Sequence, residues 1–378
     1  MSTLRKRCLP AEWAPQRAIQ LTWPHGGTDW ADHLREVDAC YVRMAREIAA
    51  RERLIIVTPE PERIMDLLEG ALPFESLVRI SLLECPTDDT WARDHAFLTV
   101  VDEGDSAENK VLCEDDKAGC EVEGEANAKT LLDFRFNGWG GKFPAEQDNA
   151  INRRLYDSEI LQDLYGEPLG YEPHLDFELE GGSIESDGRG TLLTTTRCNL
   201  NPNRRSTSGL ACQEGGGTSG LVCQEGGSTT LPHSAADVRA EVEARLKETL
   251  GAERILWLES GGLEQDDTDG HIDTLARLCP DDTIVYGEGD ARMLSELQAF
   301  RTPEGRPYRL VAVPPYYANF LIMNGAVLLP FYEDADQNER ARKALQQVFP
   351  DREVIGIDCR ILLTQNGSLH CCTMQYPG

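Results

Sequence analysis

Ile184-Glu-Ser-Asp-Gly-Arg-Gly-Thr-Leu-Leu193 and Leu321-Ile-Met-Asn-Gly-Ala-Val-Leu-Leu-Pro330 share one plan: an apolar start, an Asp-Gly or Asn-Gly pair, then an apolar run. Gln365-Asn-Gly-Ser-Leu-His-Cys371 has the same outline. Such a pair between apolar runs favours a tight hairpin, because both central residues of that turn need positive φ. Leu179-Glu-Gly-Gly182 and Leu258-Glu-Ser-Gly-Gly262 also echo each other. Echoes of this kind point to several copies of one ββαβ-like module of about 60–80 residues, rather than to unrelated domains.

Working outward, strand and helix patterns alternate. Strands are expected at 53–57, 96–101, 191–195, 255–258, 283–286, 309–313 and 326–329. Helices are expected at 32–51, 149–165, 235–250, 291–300 and 339–349. In the last of these, Ala341, Leu345, Val348 and Phe349 are close to helical spacing. Alternation of this kind indicates an α/β protein.

Two segments read as insertions. Residues 102–130 carry ten acids and three bases, the composition of a solvated hairpin extension or loop. Residues 206–230 hold a direct repeat, Ser208-Gly-Leu-Ala-Cys-Gln-Glu-Gly-Gly216 and Ser219-Gly-Leu-Val-Cys-Gln-Glu-Gly-Gly227. Two copies are too few for a solenoid, and the Gly/Ser content suggests a surface loop.

The chain has 378 residues and a net charge of -28. So much negative charge argues against nucleic acid as a partner, because phosphates would be repelled. It biases the surface loosely toward cations. Excess acid with scarce lysine suits a salt-rich interior; a GC-rich genome would exchange Lys for Arg equally well. No apolar run approaches a membrane span, and the start Met1-Ser-Thr-Leu-Arg-Lys-Arg7 lacks the apolar core of a secretory signal. A cytoplasmic location is therefore expected. The 12 cysteines contain no Cys-x-x-Cys pair and read mostly as reduced thiols.

Four clusters can carry chemistry. Asp88-Asp-Thr-Trp-Ala-Arg-Asp94 can offer one cation an aromatic face at Trp91 and a carboxylate at Asp94, although the tetrapeptide 91–94 alone also reads as an ordinary capped loop with a surface salt bridge. Glu180-Gly-Gly182 lets the backbone come close to a neighbour, as many turns do. In Asp267-Thr-Asp-Gly-His-Ile-Asp273, an extended strand would place Asp269, His271 and Asp273 on one face. Carboxylates flanking an imidazole suit a general acid/base, or a hard metal. In His370-Cys-Cys372, the two thiols of a strand would face opposite ways, and His370 would point away from Cys371. His271 is then the better proton carrier for a Cys371 nucleophile.

The motifs in order are Leu9-Pro-Ala-Glu-Trp-Ala-Pro-Gln16, Asp89-Thr-Trp-Ala-Arg-Asp94, Phe136-Asn-Gly-Trp-Gly-Gly-Lys142, Leu179-Glu-Gly-Gly-Ser-Ile184, Cys198-Asn-Leu-Asn-Pro-Asn-Arg204, Thr268-Asp-Gly-His-Ile-Asp273, Tyr317-Ala-Asn-Phe320 with Asn324-Gly325, and Gly367-Ser-Leu-His-Cys371. Together they resemble the agmatine deiminase and Porphyromonas-type peptidylarginine deiminase family, over the whole chain except the two insertions. The resemblance implies a five-bladed pseudo-symmetric α/β propeller of ββαβ modules, the pentein or guanidino-modifying fold. It implies one deiminase domain over residues 1–378, with 102–130 and 206–230 inserted.

The resemblance also assigns roles. Cys371 matches the family nucleophile, which attacks the guanidinium carbon to give a covalent thiouronium. His271 matches the acid/base, and Glu180 the acid that orients it. Asp94 and Asp273 match the carboxylates that grip the guanidinium. Trp91 matches the aromatic wall, and Asn319 a substrate-contacting amide. A covalent route divides one hard hydrolysis into two steps, so no metal or organic cofactor is required. The implied partner is a small guanidine-bearing molecule, with a homodimer as the open option for assembly.

The implied reaction is agmatine to N-carbamoylputrescine and ammonia, a step toward putrescine. The alternative is an arginine or peptidylarginine deiminase giving citrulline. Two departures bear on that choice. His95-Ala-Phe-Leu98 follows Asp94 where agmatine-specific members usually continue with Thr or Ser and Gly-Pro, and Arg135 stands where they usually have another residue, either to meet a substrate α-carboxylate or as an ordinary salt-bridged strand residue. A metallohydrolase built on Asp269, His271 and Asp273 is the competing enzyme class. A noncatalytic relative would be marked by loss of the Cys or the His, and both are present.

Overall fold

The computed structural model describes residues 6–103, 128–205, 235–262 and 266–378. The structure is a mixed α/β fold with five separate sheets. Each sheet is built the same way: an antiparallel pair, then a helix, then a strand parallel to the second member of the pair.

The pattern is plainest in two copies. Ala276–Cys279 pairs antiparallel with Thr283–Gly287; the helix Ala291–Ala299 then leads to the parallel strand Arg309–Val313. Leu321–Met323 and Ala326–Phe331 form the next pair, followed by the helix Ala335–Val348 and the strand Glu353–Asp358. A third copy runs Ile184–Ser186, Thr191–Thr195, helix Ala235–Leu250, strand Arg254–Leu258. In a fourth, Leu98–Glu103 pairs with Ala128–Arg135, the short turn Gly138–Gly141 and the helices Glu146–Asp157 and Ile160–Tyr165 intervene, and Gly170–Glu178 runs parallel. The fifth joins the two ends of the chain: Thr373–Pro377 pairs antiparallel with Gln16–Thr22. The helix Leu34–Ala49 and the parallel strands Arg53–Thr58 and Ile80–Glu84 complete it.

The ββαβ modules expected from the echoes are thus present, but those spanning 276–313 and 321–358 are shorter than the expected length. The Asp187-Gly188 and Asn324-Gly325 pairs do sit in hairpins. Asn366-Gly367 does not. Asn366 ends a short 3-10 turn at φ 60, so its tolerance of left-handed backbone serves a turn end instead. The single helix expected at 149–165 is two, Glu146–Asp157 and Ile160–Tyr165. Ser158 separates them: its hydroxyl donates to the Leu155 carbonyl and accepts from the Ile160 amide, competing with the helical ladder.

Each helix covers its sheet with an apolar face. In Leu34–Ala49 the buried residues Val37, Cys40, Tyr41, Met44 and Ile48 recur at helical spacing. They pack on Ile19, Leu21, Leu54 and Ile56. The acidic segment is flanked by paired strands, with Asp102 opposite Ala128, so 102–103 and 128–130 belong to the sheet. Its remainder and the duplicated Gly/Ser segment lie outside the described residues. Among the described residues, no helix is long and apolar enough to cross a membrane.

Candidate active site

Five short turns precede the first strand of the antiparallel pair in each sheet. Asp94 lies in Ala92–His95 ahead of Leu98–Glu103, and Glu180 ahead of Ile184–Ser186. His271 and Asp273 lie ahead of Ala276–Cys279, Asn319 ahead of Leu321–Met323, and Cys371 ahead of Thr373–Pro377. Residues far apart in sequence therefore hold equivalent places in repeated modules, and those places converge.

Gly182 marks the meeting point. A Cβ there would lie 2.6 Å from His271 Nδ1, 2.8 Å from Asp94 Oδ1 and 3.2 Å from Asp273 Oδ2. The Gly182 amide donates to Asp94 Oδ1 at 3.2 Å, and the Trp139 indole N–H donates to Asp94 Oδ2 at 3.0 Å. His271 Nε2 donates to Glu180 Oε2 at 2.6 Å, while Nδ1 lies 3.5 Å from Asp94 Oδ1. Cys371 Sγ is 3.8 Å from Asp273 Oδ2 and 3.4 Å from Asn319 Oδ1. All of these side chains are buried.

A cavity of about 200 Å³ opens onto this cluster. Cys371, Asp94, Trp91, Trp139 and Phe143 line it, and Asp29, Asp89 and Asp267 add carboxylates. Trp91 stands against Gly367, where a Cβ would come within 2.2 Å of the indole.

Electrostatics differ from group to group. Burial pushes the Asp94 carboxyl up to about 6; His271 opposes this, and Glu180 and Asp273 add to it. Burial, Asp273 and Asp94 all drive the Cys371 thiol well above its ordinary value. Burial disfavours a charge on His271, but Asp94, Cys198 and Glu180 outweigh it and hold its pKa well above the usual histidine range. Burial likewise opposes ionisation of Glu180 and Asp273. Arg204 and His271 pull Glu180 below its ordinary value, and His370 does so for Asp273.

Several sequence expectations change. Asp269, His271 and Asp273 do not share a strand face: Asp269 has φ 60, Gly270 has φ 89, and Ile272–Leu275 is a helical turn. Asp269 Oδ2 engages Lys142 at 3.0 Å and Arg204 at 3.2 Å, leaving no Asp-His-Asp metal triad. His370-Cys-Cys372 is a 3-10 turn, not a strand, yet the two thiols still diverge. Cys371 lines the cavity, whereas the Cys372 thiol donates to the Ser368 carbonyl within the apolar core. Asn319, like His271, Asp273 and Glu180, lies behind the cavity lining; its Oδ1 accepts from the His370 and Cys371 amides at 2.9 and 3.3 Å. Arg135 is 47% exposed, lies 3.9 Å from Glu178 Oε1, and borders a neighbouring groove beyond Phe143.

Sequence reasoning missed two residues that shape the cluster. Trp139 sits at φ 56 between Gly138 and Gly140, both also at positive φ; a Trp among glycines was the available signal. Arg204 Nε donates to Glu180 Oε2 at 3.1 Å, the same oxygen that His271 Nε2 contacts. It closes the Cys198–Arg204 motif, where nothing in the sequence points to Glu180.

The comparisons with known proteins now bear on this site. The chain is 42% identical to a solved Porphyromonas gingivalis protein named provisionally as an arginine deiminase, with a TM-score of 0.76 and 98% of each chain covered. It is 28% identical to a C. jejuni agmatine deiminase solved with substrate bound, with a TM-score of 0.75 over 98% of this chain and 96% of that one. It is also 28% identical to the agmatine deiminase of Pseudomonas aeruginosa, over 98% of this chain and 95% of the relative. The sequence profile of one family spans residues 8–210 and 234–377, on both sides of the duplicated segment, and every turn of the cluster falls within it. The chain belongs to the Porphyromonas-type peptidyl-arginine deiminase family.

Proposed function

We propose that this protein hydrolyses the guanidine group of agmatine to N-carbamoylputrescine and ammonia. The observation that carries the substrate is the cavity wall: four aspartates and three aromatic rings line it, and none of its described lining residues is Lys or Arg. Agmatine is cationic at both ends. The α-carboxylate of arginine would meet carboxylates there, and like charges about 4 Å apart cost roughly 1–4 kcal/mol between water-like and partly screened surroundings. The likeness to agmatine deiminases supports the same reading.

In this reading Asp94 and Asp273 fix the guanidinium plane. Asp273 Oδ1 is buried and has no hydrogen-bond partner among the described residues, and a guanidinium N–H supplies the missing donor. The incoming cation offsets the two carboxylates that keep the Cys371 thiol protonated, so the thiol releases its proton to solvent as substrate binds and the thiolate attacks the guanidinium carbon. His271 gives its proton to the departing ammonia. It then takes a proton from water, whose oxygen attacks the thiouronium carbon; the C–S bond breaks, and the added hydroxyl's proton returns to the departing thiolate as the ureido carbonyl forms. Trp91 walls the guanidinium, and Asn319 holds the Cys371 backbone.

We also propose that the five modules surround the site as blades of one pseudo-symmetric propeller. Its support is the repeated place of the five functional turns and the pairing of the two chain ends. Residues 1–378 then form one domain, with the two inserted segments outside the chemistry. We place it in the cytoplasm, where a thiol nucleophile such as Cys371 stays reduced.

The test is a colorimetric ureido assay on agmatine, arginine and a peptide ending in arginine. Agmatine should have the highest kcat/KM. The second reading, an arginine deiminase, rests on the Porphyromonas gingivalis likeness and predicts the opposite order. Arg135→Ala separates the two as well. It should leave agmatine kcat/KM within a few-fold, because Arg135 lines the neighbouring groove and not the cavity. An α-carboxylate partner would instead cost roughly 2–5 kcal/mol when lost.

Two further outcomes follow from the geometry. The kcat/KM profile for agmatine should fall on its acid side near pH 6, as Asp94 takes up a proton in the free enzyme. A profile flat to pH 5 would contradict Asp94 as a grip. Gly182→Ala should lower kcat/KM by about 100-fold or more, because the added methyl displaces His271 or Asp94, and displacements of ~1 Å have that effect.

A further inference from the structure

We propose that His370 is a positioning residue for this reaction: its Nδ1–H holds Asp273 ionised and turned for the guanidinium, while Glu12 and Arg277 lock the ring from behind. The proposal rests on the deiminase reading for what Asp273 grips.

The imidazole is buried beneath the cluster and does not line the cavity. Nδ1 lies 2.7 Å from Asp273 Oδ2. Nε2 faces Glu12 Oε2 at 2.8 Å and Arg277 Nη2 at 3.0 Å. At Nε2 either role has a partner, since Glu12 accepts and Arg277 donates. At Nδ1 there is only an ionised carboxylate, which accepts. Nδ1 therefore carries a proton whatever the state of Nε2.

The charged groups behind the ring form a closed chain. Arg277 also binds Glu185 and the Phe320 carbonyl, and Glu12 Oε1 accepts the Ile322 amide at 2.7 Å. Neither the ring nor its backing is free to turn. The His370 amide also donates to Asn319 Oδ1, the atom that accepts from the Cys371 amide. One side chain thus sets the nucleophile and this donor together.

The two gripping carboxylates are consequently unequal. Asp94 takes its hydrogen bonds from the neutral donors Trp139 and Gly182, with His271 Nδ1 farther off at 3.5 Å, whereas Asp273 is hydrogen-bonded by an imidazole backed by an ion-pair chain. Asp273 then stays anionic and the acid-side titration falls to Asp94. Because Asp273 binds the guanidinium before any bond changes, loss of the donor should appear first in KM.

The experiment compares His370→Leu with His370→Asn, whose side-chain N–H can still donate to Asp273. His370→Leu should raise the agmatine KM about 10- to 100-fold with a smaller change in kcat, the worth of a hydrogen bond to a charged group. The acid limb of kcat/KM should move to higher pH, because Asp273 loses the donor that favours its ionised form. His370→Asn should restore most of both. Equal damage by Leu and Asn in folded protein, or KM within two-fold of the parent in both, would overturn the proposal. So would nitrogen-15 imidazole spectra of the full chain showing His370 Nδ1 unprotonated. That spectrum needs no substrate: a parent enzyme inactive on every guanidine would reject the deiminase reading, while the spectrum would still decide the donor.

Discussion

Cys371→Ala removes turnover, by at least about a thousandfold as expected for loss of a nucleophile, and Cys372→Ala keeps most of it. Adjacent cysteines invite the opposite assignment, so the difference must come from geometry. The Cys371 sulfur borders the cavity beside Asp94 and Trp91. It is the thiol that lies 3.8 Å from Asp273 Oδ2 and the one a guanidinium carbon can reach. The Cys372 sulfur points into the core, hydrogen-bonded to the Ser368 carbonyl. Truncating it removes one buried atom and should cost stability on the order of 1 kcal/mol. Acid quench during turnover, followed by peptide mass measurement, should place an amidino adduct on Cys371. An adduct on Cys372, or the reversed activity pattern, would reject the assignment.

What the sequence revealed and what it hid follow from where each element is buried. Thr191–Thr195, Arg309–Val313 and Ala235–Leu250 match their expected bounds. Ile80–Glu84, Gly170–Glu178 and Glu353–Asp358 were not recognised. All three are edge strands and partly exposed, so they need no apolar run. Gln16–Thr22 is almost wholly buried, but Gln20 interrupts its apolar pattern, having found a buried partner in the Tyr376 hydroxyl. The candidate site was legible because motifs carry it. Their roles came by resemblance, and only the fold shows how one turn per module brings them together. The strand-face argument for Asp269 failed because a positive φ at Asp269 and Gly270 turns the chain before His271. Alternation cannot reveal a turn of that kind. His370 was set aside by the same strand assumption, and a 3-10 turn instead directs it at Asp273.

Glu180→Gln should lower kcat roughly 10²- to 10⁴-fold, the range for a carboxylate that orients a catalytic histidine, and should shift the base side of the pH profile to lower pH. Glutamine nearly preserves the shape, so the 2.6 Å contact with His271 Nε2 can persist while its charge is lost. His271 is fully buried, and burial alone would leave it neutral. Asp94, Cys198 and Glu180 are what keep it protonated. Removing one negative neighbour destabilises the imidazolium, so its pKa falls. In the proposed first step His271 must be protonated to release ammonia. Activity lost with rising pH should therefore be lost earlier in the variant. Arg204 adds a second effect. Its partners would shrink to Asp269 Oδ2 at 3.2 Å and the Thr268 carbonyl at 3.0 Å, leaving a buried guanidinium under-compensated beside the imidazole. That positive charge pushes the His271 pKa in the same direction. Thermal melting identifies any variant that has merely unfolded. A folded Glu180→Gln protein with the parent rate and an unmoved base limb would show that His271 is held protonated without Glu180, and the Glu180–His271 pairing would fall.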